Sequence, residues 1–228
     1  MKKFDAIILS GGKGTRIKKI TKQIPKCLID INGKPFLYHQ LKYLKKNKIN
    51  NVVISVQYKS NLIKKYIEKH VDFINVKLIN DGKKPLGTGG AVINSLNYLK
   101  KNFFIIYGDS YLRFNLNKLY SNKNISTMGI LKNANKYDKS NVLLKKENFI
   151  KYDKINNKSE NFSYIDYGVS YVSKKLFTKY KKNKKIDLSL IFYEISKRNL
   201  LKGHIIKKRF YEIGSYNGIN DLKKYLKK

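Results

Sequence analysis

The first half of the chain alternates short, nearly continuous apolar runs with longer segments in which apolar residues recur at helical spacing. The apolar runs are rich in Ile, Val, Leu and Phe and predict strands buried on both faces at residues 4–9, 51–56, 76–80 and 103–107. The segments between them predict helices over residues 35–46, 60–69 and 89–100. This order predicts an α/β fold built on a doubly wound, mostly parallel, Rossmann-like sheet with helices on both faces.

The second half is less regular and contains more strand-like segments. Apolar runs predict strands over residues 125–131, 141–144 and 164–172. A helical pattern covers residues 187–197, and Ser215 is placed to cap a last amphipathic helix. Because no linker rich in Pro, Gly or Ser separates the halves, we predict a single domain over residues 1–228, with a first half at 1–115 and a smaller, β-rich half at 116–228.

The loops that follow the buried strands are the places to look for a ligand site. In open α/β sheets, ligands bind outside the carboxyl ends of the strands. The most informative of these loops reads Leu9-Ser10-Gly11-Gly12-Lys13-Gly14-Thr15-Arg16. Its glycines let backbone amides approach a phosphate chain closely, and Lys13, Arg16 and the later Lys26 add positive charge. The pattern matches neither a P-loop nor a dinucleotide fingerprint, so it predicts an anion-binding loop of another kind.

This loop, together with Pro25-Lys26, resembles the nucleotide-binding signature of the sugar-1-phosphate nucleotidyltransferase family. Further similar motifs follow in order over nearly the whole chain: residues 85–91 (Pro-Leu-Gly-Thr-Gly-Gly-Ala), Gly108-Asp109, Asp153-Lys154, Asp166-Tyr167-Gly168 and residues 211–215 (Tyr-Glu-Ile-Gly-Ser). Several ordered motifs are far more specific than one. The loop at 85–91 looks most like that of heptose-1-phosphate and mannose-1-phosphate guanylyltransferases.

The resemblance implies a role for each of these residues. It implies catalytic roles for Arg16, Lys26 and Asp109, and a Mg²⁺ site at Asp109 and Glu212. The expected nucleotide-binding residues are Leu9, Gly11, Gly12, Gly14, Thr15, Arg16, Lys26, Asp81, Gly87 and Thr88. The expected sugar-phosphate-binding residues are Tyr107, Gly108, Asp153, Lys154, Asp166 and Gly168. Glu212 departs from the family, which usually has Asp there, and the extra methylene implies looser metal geometry.

The implied reaction transfers a nucleotidyl group from an NTP to the phosphate of a sugar 1-phosphate and releases pyrophosphate. We expect GTP, a heptose or hexose acceptor, and a product used for surface glycans such as capsule or lipopolysaccharide. Asp81 favours guanine because a carboxylate can accept hydrogen bonds from both N1 and N2, although a turn role within Asn80-Asp81-Gly82 explains it equally well. The residues therefore leave UTP, dTTP and CTP open as nucleotides.

Other interpretations of the same residues are simpler. Asp109 can cap a turn, Lys26 and Lys154 can be solvated surface lysines, and Glu212 can pair with the basic residues at 207–209. A glycosyltransferase with a similar sheet predicts an Asp-x-Asp metal motif, but Asp109 is followed by Ser and Tyr. A nucleotide- or nucleic-acid-binding protein without catalytic activity is the third alternative.

Composition adds limits on partners and location. The net charge of +35 invites a nucleic-acid interpretation, but the excess is almost entirely Lys spread along the whole chain, so we expect no nucleic-acid partner. Cys27 is the single cysteine, which excludes an intrachain disulfide, and no segment has the length of a signal peptide or a membrane span. We expect a cytoplasmic enzyme without membrane insertion, and a homodimer stays open.

Overall fold

The structure is a computed structural model that describes residues 4–12, 14–82, 84–120, 125–133, 135–154 and 161–227. Lys13 of the predicted anion loop lies outside them. The strands are β1 Phe4–Leu9, β2 Asp30–Ile31, β3 Lys34–Pro35, β4 Ile49–Val56, β5 Asn75–Asn80, β6 Asn102–Tyr107, β7 Ser110–Tyr111, β8 Ser126–Lys132, β9 Val142–Leu144, β10 Ile150–Tyr152, β11 Tyr164–Ser173, β12 Leu201–Ile205 and β13 Tyr211–Glu212. The α-helices are α1 Lys18–Thr21, α2 Phe36–Lys46, α3 Ser60–His70, α4 Gly87–Ser95, α5 Leu188–Lys197 and α6 Tyr216–Leu226.

One mixed sheet runs through both halves of the described chain. Seven of its nine strands join in the path β10-β9-β11-β6-β1-β4-β5, and the other two are β8, which pairs with β11, and β12, which pairs with β8. The first-half strands β5, β4, β1 and β6 are all parallel, whereas β11 runs antiparallel to β6. The carboxyl ends of β1, β4, β5 and β6 therefore meet at one edge of the sheet.

Helices cover both faces of this sheet, which confirms the predicted fold class. Successive side chains of a strand point to opposite faces. Accordingly, Ala6 and Ile8 of β1 join a core cluster that includes residues of α2 and α3, while Ile7 between them joins a second cluster with residues of α4 and α5. Burial of such continuous apolar surface on both faces is the main source of stability for a parallel sheet.

A third apolar cluster brings the carboxyl-terminal segment next to the predicted anion loop. Ile17, which follows that loop, packs with Ile31 of β2, Ile213 and two residues of α6, Ile219 and Leu222. All five side chains are buried. This cluster holds residues 211–215 beside the loop after β1.

Most predicted elements are confirmed, and three predictions need correction. Strand β5 is not buried on both faces: it alternates exposed and half-buried positions because it forms the edge of the sheet. The helix predicted over 89–100 begins at Gly87 and ends at Ser95, followed by a short 3₁₀ turn at Leu96–Tyr98. Strands β10 and β12 were not predicted. Ser215 caps α6 as expected, accepting a hydrogen bond of 3.0 Å from the Gly218 amide.

Candidate active site

Two neighbouring cavities open at the carboxyl ends of the parallel strands. The first, of about 420 Å³, is lined by residues that include Leu9, Gly11, Gly12, Gly14, Lys26, Asp81, Gly87, Thr88 and Gly108. The second, of about 510 Å³, is lined by residues that include Arg16, Asp166, Gly168 and Glu212. Both are lined by Tyr107, Asp109, Tyr152 and Lys154. All but two of the predicted site residues thus line adjoining spaces that meet at Asp109. Arg16, expected at the nucleotide, lines the second cavity, and Gly108, expected at the sugar phosphate, lines the first.

Close packing of two loops positions Asp109. The Gly108 amide donates a hydrogen bond of 3.1 Å to the carbonyl of Leu9, and a Cβ on Gly108 would collide with that oxygen. On the other side, Gln40 of α2 donates from Nε2 to the carbonyls of Tyr107 and Ser110, at 3.0 and 3.2 Å. Asp109 is therefore held in place by the close contact of Gly108 with Leu9 and by the buried side-chain amide of Gln40.

Three charged side chains gather beside Asp109, two from near the start of the chain and one from near its end. The Lys26 ammonium forms an ion pair with Asp109 at 2.7 Å, with both side chains partly shielded from solvent. The point where a Cβ on Gly214 would stand lies 2.6 Å from Glu212 Oε2, 2.7 Å from Arg16 Nη2 and 3.1 Å from Lys26 Nζ. We call Arg16, Lys26, Asp109 and Glu212 the charge cluster.

Backbone pairing fixes the two acidic members of the charge cluster near each other. In the antiparallel pair of β7 and β13, Glu212 stands opposite Ser110. The Ile213 amide also donates a hydrogen bond of 3.0 Å to the carbonyl of Asp109. The Glu212 carboxylate folds back over its own turn, where it accepts hydrogen bonds from the Gly214 amide and the Ser215 hydroxyl. Residues about a hundred positions apart are thereby brought to one site.

Local backbone geometry explains the position of Arg16. Gly14 has a left-handed conformation with φ of 63°, which favours glycine, and it precedes the 3₁₀ turn Thr15–Ile17. A Cβ on Gly14 would lie 2.7 Å from Cγ2 of Thr21, and the Thr21 hydroxyl donates to the Gly14 carbonyl at 3.1 Å. The loop is thus tied to the last residue of the chain's first helix, and Arg16 lines the second cavity.

Asp81 lies on the wall of the first cavity with one oxygen already engaged. Ser55 donates a hydrogen bond of 2.5 Å to Oδ2 of Asp81. Its other oxygen, Oδ1, is buried. Burial raises the pKa of Asp81 above its ordinary value, opposed by hydrogen bonding from the Ser55 and Asn94 side chains.

The second cavity contains the buried carboxylate of Asp166, which accepts hydrogen bonds from a tyrosine and from a backbone amide. The Tyr107 hydroxyl donates to Asp166 Oδ2 at 2.9 Å, and the Gly168 amide donates to Oδ1 at 2.8 Å. Burial raises the pKa of Asp166 to about 6. Gly168 has a positive φ of 82°, and a Cβ there would lie 2.7 Å from the Ser110 hydroxyl. These contacts join the sugar-phosphate motif at 166–168 directly to the strand end that carries Asp109.

Two predicted site residues are not among those that line either cavity. Thr15 is exposed in the first 3₁₀ turn, and Asp153 is buried with its amide bonded to the Asn141 carbonyl at 3.0 Å. Conversely, sequence reasoning did not identify Tyr152 and Asp187 as cavity residues. The sequence placed Asp187 at the start of a predicted helix. Its position in the cavity wall depends on the order of the strands, which the spacing of residues does not give.

Among the described residues, no group of three or more His, Cys, Asp and Glu side chains forms a cluster that could hold a metal ion. Any metal here would need ligands beyond the two acidic members of the charge cluster. No helix in the part of the chain that the structure describes is long and apolar enough to cross a bilayer.

A mixed sheet whose parallel strands end at a glycine-lined loop, two adjoining cavities and a charge cluster is typical of an α/β enzyme that transfers phosphate-containing groups. The family model described as nucleotidyl transferase matches residues 5–139, more than half of the chain. The chain therefore belongs to the nucleotidyl transferase family and is a nucleotidyltransferase, which confirms the predicted family and enzyme class.

Individual relatives support the same assignment. The chain is 32% identical over 212 residues to D-glycero-alpha-D-manno-heptose 1-phosphate guanylyltransferase of Campylobacter jejuni, an alignment that covers 92% of this chain and 95% of the relative. Among solved structures, HddC from Yersinia pseudotuberculosis superposes with a TM-score of 0.81 at 26% identity, covering 98% of this chain and 99% of that one. A second structure of HddC, complexed with GMP-PN, superposes with a TM-score of 0.80.

Proposed function

We propose that this protein transfers a guanylyl group from GTP to a sugar 1-phosphate, with a heptose 1-phosphate favoured over a hexose 1-phosphate, and releases pyrophosphate. The observation that carries the proposal is the charge cluster, in which Arg16, Lys26, Asp109 and Glu212 meet where two cavities adjoin. One cavity has the glycine-lined loop expected for a nucleotide and the other has the buried polar groups expected for a sugar. The NDP-sugar product would serve surface-glycan assembly.

We propose that the two cavities belong to one domain, each half of which binds a different substrate. Residues 1–115 would hold the nucleotide and residues 116–228 the sugar phosphate. The continuous sheet, in which β6 of the first half pairs with β11 of the second, supports this arrangement. Asp109 ends the first half and Lys154 belongs to the second, and both line both cavities.

The proposed reaction needs positioned charge rather than a general base. A phosphate monoester has a second pKa of about 6, so the sugar phosphate is already a nucleophilic dianion near neutral pH. Its oxygen attacks the α-phosphorus of the NTP as the bond to the β-phosphate oxygen breaks. Lys26 would offset charge on the α-phosphate, Arg16 and the loop amides would hold the departing pyrophosphate, and Lys154 would hold the sugar phosphate.

Asp109 and Glu212 fit a Mg²⁺ ion as part of a larger ligand set. Both offer the hard carboxylate oxygens that Mg²⁺ prefers, and substrate phosphates and water would complete the coordination. The Asp109 side chain is 34% exposed toward the cavities, and Lys26 already lies against it as a positive partner. When bound, Mg²⁺ would supply charge that offsets repulsion between the two phosphates.

The preference for guanine rests on Asp81. Its Oδ2 is bonded to Ser55, so Asp81 is fixed in position on the wall of the first cavity. Guanine offers two adjacent donors, N1 and N2, whereas uracil and thymine offer one. The names of the relatives in Campylobacter jejuni and Yersinia pseudotuberculosis support guanylyl transfer and a heptose acceptor. We also propose a cytoplasmic location, supported by the single, buried cysteine Cys27.

A pyrophosphate-release assay tests the proposal directly. The pure full chain is incubated with Mg²⁺, one of GTP, UTP, dTTP or CTP, and one of several heptose and hexose 1-phosphates. The expected result is release with GTP and a heptose 1-phosphate that exceeds release with every other pair. Absence of release with all pairs would overturn the proposal, and release with another nucleotide would overturn the choice of base.

Asp81→Asn provides the matched test of base choice. The amide replaces an acceptor with a donor facing guanine N1 and N2, so kcat/KM for GTP should fall by about 10- to 100-fold. Activity with UTP, measured on the same preparation, should fall less than twofold. Equal losses with both nucleotides would show that Asp81 supports the cavity wall and does not read the base.

A further inference from the structure

A segment of the second half lies directly on the second glycine-rich loop. The amides of Gly89 and Gly90 donate to the carbonyl of Ile186 at 3.0 and 3.1 Å, and the Ile186 amide donates to the Leu86 carbonyl at 2.9 Å. A Cβ on Gly87 would lie 2.5 Å from that Ile186 oxygen. The glycines here permit close contact between two chain segments, and the residue after Ile186 is thereby fixed at the rim of the first cavity.

That next residue is Asp187, whose side chain is held in a defined orientation. Asp187 is the N-cap of α5, where Oδ1 accepts a hydrogen bond of 2.9 Å from the Ser189 amide. The Thr88 hydroxyl donates to the same oxygen at 3.1 Å, and it also accepts from the Leu188 amide at 2.9 Å. Asp187 stays solvent-accessible and lines the first cavity together with Tyr107, Tyr152 and Lys154.

The surroundings of Asp187 keep it ionised. Burial opposes ionisation, but hydrogen bonds from Ser189 and Thr88 and the nearby Lys154 ammonium hold the pKa of Asp187 below its ordinary value. The two oxygens of a carboxylate can accept about four hydrogen bonds in total. The contacts from Ser189 and Thr88 use only part of this capacity. Asp187 therefore presents accessible acceptor capacity to whatever occupies the cavity.

Asp166 and Asp187 both lie near the tyrosines Tyr107 and Tyr152. Burial raises the pKa of Tyr107, and the nearby carboxylates of Asp166 and Asp187 raise it further. Burial followed by the same two carboxylates also raises the pKa of Tyr152. Both phenols thus stay protonated. Two carboxylate acceptors around neutral hydroxyl groups suit a ligand with several hydroxyls, while a second anionic group at this wall would be repelled.

We propose that Asp187 is a specificity-determining residue for the acceptor, whose carboxylate accepts a hydrogen bond from a hydroxyl of the sugar ring or its side chain. This inference rests on the proposed function and adds a residue that the family motifs do not include. The sugar is the expected partner because the cavity neighbours of Asp187 are Tyr107, Tyr152 and Lys154, which also line the cavity that contains Asp166.

Asp187 also caps a helix, so the test separates capping from sugar recognition. Asp187→Ser retains a good N-cap residue but has a side chain too short to reach a bound sugar. Asp187→Asn retains both the cap and the reach but loses the charge. Leu190→Ser, on the exposed side of the same helix, serves as the control for a change in this helix.

The readout is steady-state pyrophosphate release by the full chain with GTP, Mg²⁺, and either the preferred sugar 1-phosphate or its monodeoxy analogues. For Asp187→Ser we expect KM for the sugar 1-phosphate to rise about tenfold, with KM for GTP changed less than twofold. One deoxy analogue should be a poor substrate for the wild type, and Asp187→Ser should turn it over with the same kcat/KM as the wild type does. Asp187→Asn should lie between wild type and Asp187→Ser, and Leu190→Ser should match the wild type.

Each other outcome overturns the inference. An unchanged acceptor KM in Asp187→Ser would exclude sugar contact, and a parallel rise in both KM values with a lower melting temperature would assign Asp187 a purely structural role. A rise in KM for GTP alone would place the hydrogen bond on the nucleotide. Wild-type protein inactive with every substrate pair would instead contradict the proposed function, so the two failures are distinguishable.

Discussion

At the scale of single residues, the charge cluster requires glycine at position 214, because its head groups occupy the space of a side chain there. The head groups of Glu212, Arg16 and Lys26 surround the position that a Cβ would take, at 2.6, 2.7 and 3.1 Å. Atoms of different residues do not normally approach a Cβ so closely, so any larger residue must push these head groups apart. Two of the three are ends of long flexible side chains, which can move at small cost to the fold.

Gly214→Ala should therefore damage activity more than stability. We expect kcat/KM for pyrophosphate release to fall by about 100-fold, because displacement of catalytic groups by an ångström has effects of this size. The melting temperature should change by less than about 4 °C, which corresponds to roughly 1 kcal/mol in a chain of this size. Asn220→Ala on the exposed face of α6 is the control. Full activity of Gly214→Ala would contradict the geometry of the cluster.

Asp166 gives a prediction for stability against pH. Its pKa is raised to about 6 by burial, above the value of about 3.9 expected in the unfolded chain. The folded state thus binds the Asp166 proton more tightly than the unfolded state does. Protonation of Asp166 therefore adds to the free energy of unfolding below about pH 4, and this added stability is lost as the pH rises through about 6.

Asp166→Asn lacks this dependence. Relative to wild type, its free energy of unfolding should increase by roughly 2 kcal/mol between pH 4.5 and pH 7. Urea unfolding of both proteins at several pH values measures the difference. A difference that stays constant across this range would show that Asp166 titrates normally in the folded protein.

At the scale of secondary-structure elements, α2 supports the site through one buried side chain. Gln40 is almost fully buried and its amide bridges the carbonyls of Tyr107 and Ser110, on either side of Asp109. Gln40→Leu keeps a side chain of similar bulk at this buried position but leaves the two buried carbonyls without this donor. The cost should be about 1–3 kcal/mol in the free energy of unfolding, since that is the penalty for buried unsatisfied groups.

The same variant should also lower kcat, because the loop that carries Asp109 loses its tether. Chemical denaturation and pyrophosphate release report the two effects separately. Gln40→Glu is the informative companion, since it offers a carboxylate in place of the amide donor and should be at least as damaging. Wild-type stability and activity in both variants would show that the turn is held by its glycine contact alone.

The elements themselves were largely predictable from the sequence. Continuous apolar runs fixed β1, β4 and β6 to within two residues, and helical spacing fixed α2, α3 and α5. The edge position of β5 was not predictable, because pairing order is a tertiary property. Strand β10 is three residues long, and β12 contains Gly203 and His204 among its apolar residues, so neither carried a clear pattern.

At the scale of the whole molecule, the site exists only because the fold returns its last segment to its first loop. Lys26 and Asp109 are 83 residues apart, and Glu212 lies about a hundred residues further on. Sequence motifs predicted most of the residues that line the two cavities, and they missed Tyr152 and Asp187, whose positions follow from sheet order. The chemical roles that the motifs imply for these residues stay predictions.

The central claim is that Asp109 and Glu212 act together at one site. The most direct measurement is a double-mutant cycle of Asp109→Asn, Glu212→Gln and the double variant, with kcat/KM for pyrophosphate release as the readout. Residues that act as a unit are strongly non-additive, so we expect each single variant to lose at least about 100-fold and the double variant to lose less than about tenfold more than the worse single. Losses that multiply, or a silent Glu212→Gln, would contradict the claim.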